Sequence, residues 1–208
     1  MAAAELARRS KDSRVRPLLE RLSKHASPRI REAAIDGLAL VGRRQDLNGL
    51  LRVREGLDWG ALRALCAALS ALAEPADSSL LIELLEHPDD AVAASAALGL
   101  ARLELRNATA ALAVVASDED RVAASANARL ALSVLDGGPP VAGDAWTAIQ
   151  LLGPAGEPIV RRQVSFSLEN GATVYSYTGS SGVARLVGVV GGSVVARPQL
   201  LGESADPG

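Results

Sequence analysis

The chain has 208 residues, of which 49% are hydrophobic and 22% are charged, a balance typical of a folded protein and outside the range of disordered chains. The net charge is only −2, and aromatic residues make up 2% of the sequence, so few rings are present to stack on nucleobases and single-stranded nucleic acid is disfavoured as a ligand. The single cysteine, Cys66, excludes a disulfide framework within the chain.

No stretch of the sequence approaches the ~20 consecutive apolar residues that a transmembrane helix needs. The N-terminus also lacks an apolar run of the length found in signal peptides. With one cysteine and neither of these segments, the sequence predicts a cytoplasmic protein without a membrane span.

Charge is distributed unevenly along the chain. Residues Met1–Arg31 carry a net charge of +6, Glu32–Ala145 carry −8, and the remainder is neutral. A basic end on an acidic chain can attract an acidic or phosphate-bearing partner. Solvated outer faces of helices account for the same pattern, so the distribution leaves both interpretations open.

A short string recurs unchanged in the first two thirds of the chain. Val92–Ala96 reads Val-Ala-Ala-Ser-Ala, and Val122–Ala126 repeats it thirty residues later. Acidic residues precede both copies, at Asp89, Asp90, Asp118, Glu119 and Asp120. Their carboxylates are expected to cap helix N-termini and need no catalytic explanation. In the same register, earlier helices begin near Ile30, after a Ser-Pro helix-start signal, and near Leu62, after Asp58.

Helical periodicity defines the repeated unit as a pair of helices. The longer helices have apolar residues at i, i+3, i+4 and i+7. Shorter helices between them carry apolar triplets with the same spacing, at Val15, Leu18 and Leu19; Leu47, Leu50 and Leu51; Leu81, Leu84 and Leu85; and Ala111, Val114 and Val115. A single hairpin cannot bury both of its apolar faces, so neighbouring hairpins are expected to stack around a continuous core.

The combined pattern is an Asp or Pro turn, then Val-x-x-(Ala/Ser)-Ala-x-x-Gly-Leu, then Leu-x-x-Leu-Leu. Over about residues 12–135 it resembles the short HEAT repeat that also occurs in phycobilisome-lyase-like proteins. The resemblance implies an α-solenoid of about four helical hairpins over residues 1–136, a scaffold whose concave surface is lined by the shorter helices. In the last repeat, Asn127 and Arg129 depart from the pattern and indicate a capping helix.

The candidate partner-binding surface consists of the residues that flank the buried stripes of the shorter helices. These are Arg16, Glu20, Asn48, Arg52, Ile82, Glu86 and Leu112. The surface becomes less polar toward its C-terminal end, so we expect that either the following domain or a partner protein covers the last repeats.

The composition changes abruptly after Asp136, where Gly-Gly-Pro-Pro-Val-Ala-Gly cannot continue a helix and predicts a linker over residues 137–143. Beyond it, five β-prone runs alternate with turn residues, at Trp146–Leu152, Val160–Leu168, Thr173–Thr178, Val183–Val189 and Ser193–Arg197. Asn170-Gly171, between the second and third runs, predicts a tight hairpin because both residues readily adopt positive φ angles.

The turn motifs of this part support a second resemblance. Gly156-Glu-Pro, Thr178-Gly-Ser-Ser-Gly and Gly191-Gly-Ser, with Val164-Ser-Phe between them, resemble the carboxypeptidase-regulatory or transthyretin-like β-sandwich, a relative in shape of immunoglobulin-like modules. This implies a small β-sandwich over residues 144–200, a binding or spacer module with no chemistry of its own. The terminal residues 201–208 are expected to form a disordered tail. The predicted fold class is therefore multidomain, α followed by all-β.

The sequence predicts no catalytic site, metal site or cofactor. Cys66 paired with His25 or His87 would suggest a nucleophile and a base, but Cys66 falls where the other repeats have alanine and is interpreted as a small core residue. Two histidines fall short of the roughly four ligands that a zinc site requires. Glu83 and Glu86 share a helical face, which is ordinary for solvent-exposed residues.

The leading functional hypothesis is a non-catalytic scaffold, adaptor or regulatory subunit that binds another protein, with the β domain bracing the last repeat or adding a second contact. No small-molecule substrate is implied. One alternative is chromophore handling, as in bilin-lyase-like HEAT proteins. The other is nucleic-acid binding by the basic N-terminal helices, at Arg8, Arg9, Lys11, Arg14 and Arg16, which the neighbouring Asp12 and the lack of interleaved aromatic residues disfavour.

Overall fold

The structure is a computed structural model that describes residues 15–74, 78–137, 145–169, 171–189 and 194–198. Eight helices occupy the N-terminal part of the described chain, alternating short and long. They are α1 (Arg16–Leu22), α2 (Pro28–Val41), α3 (Arg44–Leu51), α4 (Trp59–Leu72), α5 (Ser79–Leu85), α6 (Asp90–Arg102), α7 (Thr109–Ala116) and α8 (Val122–Leu135). Within the described ranges, no helix has both the length and the apolar content needed to cross a membrane.

Acidic caps begin two of the long helices, as predicted. Asp58 accepts hydrogen bonds from the backbone N–H groups at the start of α4, and Asp89 does the same for α6, at 3.0 to 3.3 Å. The start of α8 is different, because the acidic turn before it does not cap it. Instead Asp90, in α6, accepts hydrogen bonds from the N–H groups of Ala123 and Ala124 at 3.2 and 2.9 Å. One repeat therefore caps the next.

The long helices pack side by side in chain order, α2 on α4, α4 on α6 and α6 on α8, and each short helix packs on the long helix that follows it. Glycine at equivalent positions allows the short helices to approach closely. A Cβ atom added at Gly37 would lie 3.0 Å from the side chain of Leu19, and one added at Gly99 would lie 3.1 Å from that of Leu81. The sequence repeat is thus matched by a repeated packing contact.

The buried stripe of α7 differs from the predicted one. Val114 was expected in the core and is 72% exposed, whereas Leu112 was expected on the surface and is fully buried, together with Ala108 and Val115. Both sets have helical spacing, and Thr109, at the first position of α7, is its only polar residue, so the sequence gives little indication of which face of the helix is exposed. In α1, likewise, Leu18 is 36% exposed and Leu19 is buried.

Five strands form two small antiparallel sheets in the C-terminal part of the described chain. The strands are β1 (Ala145–Gln150), β2 (Gln163–Ser167), β3 (Thr173–Tyr177), β4 (Val183–Val189) and β5 (Val195–Pro198). β1 pairs with β4, and the second sheet has the order β3-β2-β5. Each strand overlaps one of the predicted runs, and β4 has the predicted bounds. The predicted linker beyond Gly137 and the predicted tail lie outside the described residues.

The predicted β2–β3 hairpin is present, and Gly171 in its turn has a φ of +83°, whereas Asn170 lies outside the described residues. Along β2, Val164 and Phe166 are fully buried and alternate with partly exposed serines. They form a compact core with Val174 of β3 and with Ala184 and Leu186 of β4, so both sheets contribute to it. Leucines of α6 and α8 also pack against this core, which joins the β region to the helices.

Candidate functional site

The predicted partner-binding residues are distributed over the four short helices and their ends. Asn48, Arg52 and Glu86 are exposed, and the side chains of Arg16, Glu20 and Ile82 are partly buried. Leu112 is a correction, because it is fully buried in the helical core and cannot contact a partner.

A polar groove of about 350 Å³ lies between α1 and α3 and brings together three of the predicted residues, Glu20, Asn48 and Arg52. Lys24 and Asp46 also line it. These two were not predicted, because the positions beside the apolar triplets do not indicate which of the remaining polar residues face the neighbouring short helix.

Two carboxyl groups meet at one side of this groove. Asp46 lies 3.2 Å from Nη1 of Arg16 and also accepts a hydrogen bond from the backbone N–H of Arg43 at 2.7 Å. Hydrogen bonding to Asp46 raises the pKa of Glu20, and burial and the charge of Asp46 act in the same direction. Glu20 therefore keeps its proton to a higher pH than an isolated glutamate would.

The β region covers the long helices, not the predicted surface on the short ones. At α8, the fully buried Asn127 accepts a hydrogen bond from the backbone N–H of Tyr175 at 3.0 Å and donates one to its carbonyl oxygen at 3.1 Å. Because β3 is an edge strand, this side-chain amide pairs with it as a neighbouring strand would. The same amide also donates to the carbonyl of Ala94 in α6.

Further hydrogen bonds connect β3 and the turn after it to the long helices α6 and α2. The Tyr177 hydroxyl donates to Asp90 at 2.7 Å. Burial, together with this bond to Asp90, raises the pKa of Tyr177, so the hydroxyl remains a neutral donor. Ser180 donates to Glu32 of α2 through its hydroxyl at 2.8 Å and its backbone N–H at 3.0 Å.

Glu32 is a buried carboxylate with three polar contacts. Besides Ser180, it accepts a hydrogen bond from Nη2 of Arg63, in α4, at 2.6 Å. Burial alone would raise the pKa of Glu32, but the positive charge of Arg63 and the hydrogen bonds from Ser180 outweigh burial and lower it. Glu32 is therefore ionised at neutral pH and joins two long helices to the β region.

Arg161 makes a separate link between the loop before β2 and two long helices. Its guanidinium lies 4.4 Å from the ring centroid of Trp59, at the start of α4, and 2.5 Å from the carboxylate of Asp89, the cap of α6. Its φ of +54° is unusual for a residue other than glycine, and backbone strain of this kind persists only where surrounding contacts hold it.

The space left between the helices and the β region is small. A cavity of about 50 Å³, lined in part by Arg63, Ser95 and Ser176, has room for a few water molecules and is far smaller than a typical ligand pocket. The long-helix face is thus occupied by the chain itself.

Cys66 and the two histidines, which were considered for catalysis, have structural surroundings. Cys66 is fully buried, and burial raises the pKa of its thiol to about 12, so it is not ionised at neutral pH. His25 accepts a hydrogen bond from the N–H of Ser27, and His87 accepts one from that of Asp89, at 3.0 and 3.1 Å, which orders two equivalent turns. No group of three or more His, Cys, Asp or Glu side chains suited to a metal ion occurs in the described part of the chain.

Comparison of the chain with protein-family models, with curated proteins and with solved structures gave no match. Function therefore has to be inferred from the two polar surfaces of the chain itself. Among the described residues, one of these, on the long helices, is contacted by the β region, and the other, on the short helices, contains a groove lined by residues of the helical part alone.

Proposed function

We propose that the protein is a cytoplasmic, non-catalytic scaffold, adaptor or regulatory subunit that binds another protein through its short helices. In this proposal the helices form a solenoid of about four HEAT-like hairpins, and the strands form a small β-sandwich. The sequential packing of the long helices and the repeated contacts of Gly37 with Leu19 and of Gly99 with Leu81 support the solenoid. Contributions from both sheets to one core support the sandwich.

The curvature of the array follows from how closely its two layers pack. Each long helix contacts the next long helix extensively. The contact between the short helices α5 and α7 is much smaller than the contacts between long helices. In a curved stack the helices on the inner side lie closer together, so we assign the long helices to the concave side. The resemblance to HEAT repeats implied the opposite assignment. The β region then fills the concavity and braces several repeats rather than only the last one.

The observation that carries the proposal is the polar groove between α1 and α3, on the face that the β region leaves open. It contains Glu20, Asn48 and Arg52. Later short helices also have exposed residues, Glu86 just after α5 and Val114 in α7, which is 72% exposed. A surface with charged groups around a small apolar patch is typical of reversible protein–protein contacts.

A photo-crosslinking residue introduced at Asn48 tests this proposal. Asn48 lines the groove, whereas the matched control position, Asn107, is exposed in a short turn before α7. In extract from the native cells, we expect a dominant protein adduct from position 48 that is absent from position 107. Adding Arg52→Glu and Glu86→Arg should abolish it without unfolding the protein, since both side chains are exposed. Identical adducts from both positions, or none from position 48, would contradict the proposal.

The two alternatives remain predictions. Chromophore handling has no particular contact in its favour. For nucleic-acid binding, the first four members of the basic cluster, between Arg8 and Arg14, lie outside the described residues. The last member, Arg16, donates a hydrogen bond to Asp46.

A further inference from the structure

We propose that the short-helix face binds an extended segment of the partner in which an acidic residue is followed by a basic residue and then by an apolar one. The acidic residue would lie at the α1–α3 groove, the basic residue at α5 and the apolar residue at α7. This inference rests on the proposed function and specifies the chemistry of its partner. It follows from the change in surface character from one short helix to the next.

The groove between α1 and α3 favours a carboxylate. Two exposed cations line it, Lys24 just beyond the end of α1 and Arg52 just beyond the end of α3. A third cation, Arg16, is balanced by Asp46. Asn48, on the same face of α3 one turn before Arg52, adds an amide donor. Glu20, which also lines the groove, offsets part of the charge of Lys24, so a carboxylate is favoured beside Arg52, where it would meet a positive charge and the amide donor of Asn48.

The next short helix presents the opposite charge. Glu86 directly follows α5, as Arg52 directly follows α3, so the two occupy equivalent positions in successive repeats. Glu83, one turn earlier, is also exposed. A partner residue over α5 therefore meets two carboxylates and is favoured if it is Lys or Arg.

The last short helix presents an uncharged face. Its exposed residues include Ala110, Ala113 and Val114, and Val114 alone is 72% exposed. α7 also contacts α5, so the helix with the apolar face lies next to the helix with the two exposed carboxylates. An aliphatic side chain of the partner would be removed from water here, which stabilises the complex by the hydrophobic effect.

Helix spacing sets the distance between the three recognised residues. Successive long helices pack on one another and each short helix packs on its own long helix, so successive short helices are separated by at least the spacing of packed helices, about 8 to 10 Å, while an extended chain advances about 3.3 Å per residue. One repeat of the array therefore corresponds to about three residues of an extended segment. The expected pattern is Asp or Glu, two intervening residues, Lys or Arg, two intervening residues, and an aliphatic residue.

Two synthetic peptides test this order, Asp-Gly-Ser-Lys-Gly-Ser-Leu and its charge-swapped form Lys-Gly-Ser-Asp-Gly-Ser-Leu, both with blocked ends. Chemical-shift titration of the full chain measures the weak affinities expected of such short ligands. The wild type should bind the acidic-first peptide about fivefold more tightly, since each exposed ion pair contributes a few-fold. The variant with Arg52→Glu and Glu86→Arg should prefer the basic-first peptide, and added salt should weaken both preferences.

Equal affinity of the wild type for the two peptides, binding of neither, or an unchanged preference in the double variant would each overturn the inference. The crosslinking experiment at Asn48 separates this failure from that of the proposed function. A crosslinked partner whose bound segment lacks the acidic-to-basic order would overturn the inference alone, whereas loss of the specific adduct would overturn the scaffold function itself.

Discussion

Asn127 shows how one side chain can join two structural units. In the other repeats the equivalent positions are Ala97, Ala67 and Ile35, all apolar. The asparagine predicted a capping helix, and the structure gives the physical reason for its presence. Its amide satisfies both backbone groups of Tyr175 on the edge of β3, while the side chain is completely removed from solvent.

We predict that Asn127→Ala lowers the free energy of unfolding by about 3 kcal/mol, because the N–H and C=O groups of Tyr175 lose their partners in a buried environment. Urea denaturation measures the loss, and the Tyr175 amide should exchange with solvent faster in the variant. Asn107→Ala, at an exposed asparagine, is the matched control and should change stability by no more than about 0.5 kcal/mol. Equal effects of the two substitutions would contradict this role.

At the scale of the elements, glycine determines how closely a short helix approaches the following long one. Gly37 and Gly99 occupy the same repeat position, and each faces a leucine of the preceding short helix. Glycine weakens a helix by about 0.5 to 1 kcal/mol relative to alanine, so its use here is explained by close packing. A Cβ atom added at Gly49, in α3, would have no neighbouring atom within 4 Å, and packing gives no reason for this glycine.

We predict that Gly99→Val destabilises the protein by about 2 kcal/mol, because the added atoms would press against Leu81, which already lies 3.1 Å from the Cβ position. Gly49→Val is the control and should be nearly neutral. Thermal unfolding of both variants makes the comparison. The double variant Gly99→Val with Leu81→Ala should lose less stability than the two single losses added together. Strict additivity would show that the two residues do not compete for space.

For the whole molecule, the junction between the helices and the β region is unusually polar. Three buried polar residues lie at this junction, Glu32, Arg63 and Asn127. Glu32 and Asn127 form hydrogen bonds with the β region, and Arg63 forms one with Glu32. Paired, hydrogen-bonded charges avoid the large cost of burying a charge alone. They also make the orientation of the β region specific, because Ser180, a residue 148 positions from Glu32, must reach that carboxylate.

We predict a pH-dependent contribution of Glu32 to stability. The pKa of Glu32 in the folded protein is below its ordinary value of 4.5. The ionised carboxylate therefore stabilises the fold at pH values above 4.5, and this stabilisation is lost as the pH falls through the lower pKa of the folded protein. Glu32→Gln should therefore be less stable than the wild type at about pH 7, and the difference should shrink between about pH 5 and pH 3. Urea unfolding across this range measures it. The exposed Glu83→Gln serves as the control and should track the wild type, while a difference for Glu32→Gln that stays constant with pH would refute the prediction.

Much of the local structure was determined by the sequence itself. The recurring string located α6 and α8, acidic residues marked the starts of α4 and α6, and Gly171 marked the turn between β2 and β3. The burial of Cys66 followed from alanine at equivalent positions. These features depend on residues within a few positions of one another, where periodicity, capping and turn chemistry act directly.

Only the tertiary structure decided which surfaces are open and how the units join. The rotation of α7 exposes Val114 and buries Leu112. The cap of α8 comes from Asp90 in another helix, and the β region lies on the long helices. Of the residues that line the candidate groove, only Glu20, Asn48 and Arg52 were predicted from the sequence. These outcomes arise because apolar periodicity specifies that a face is buried without specifying what covers it, and contacts between distant residues depend on the packing of the whole chain.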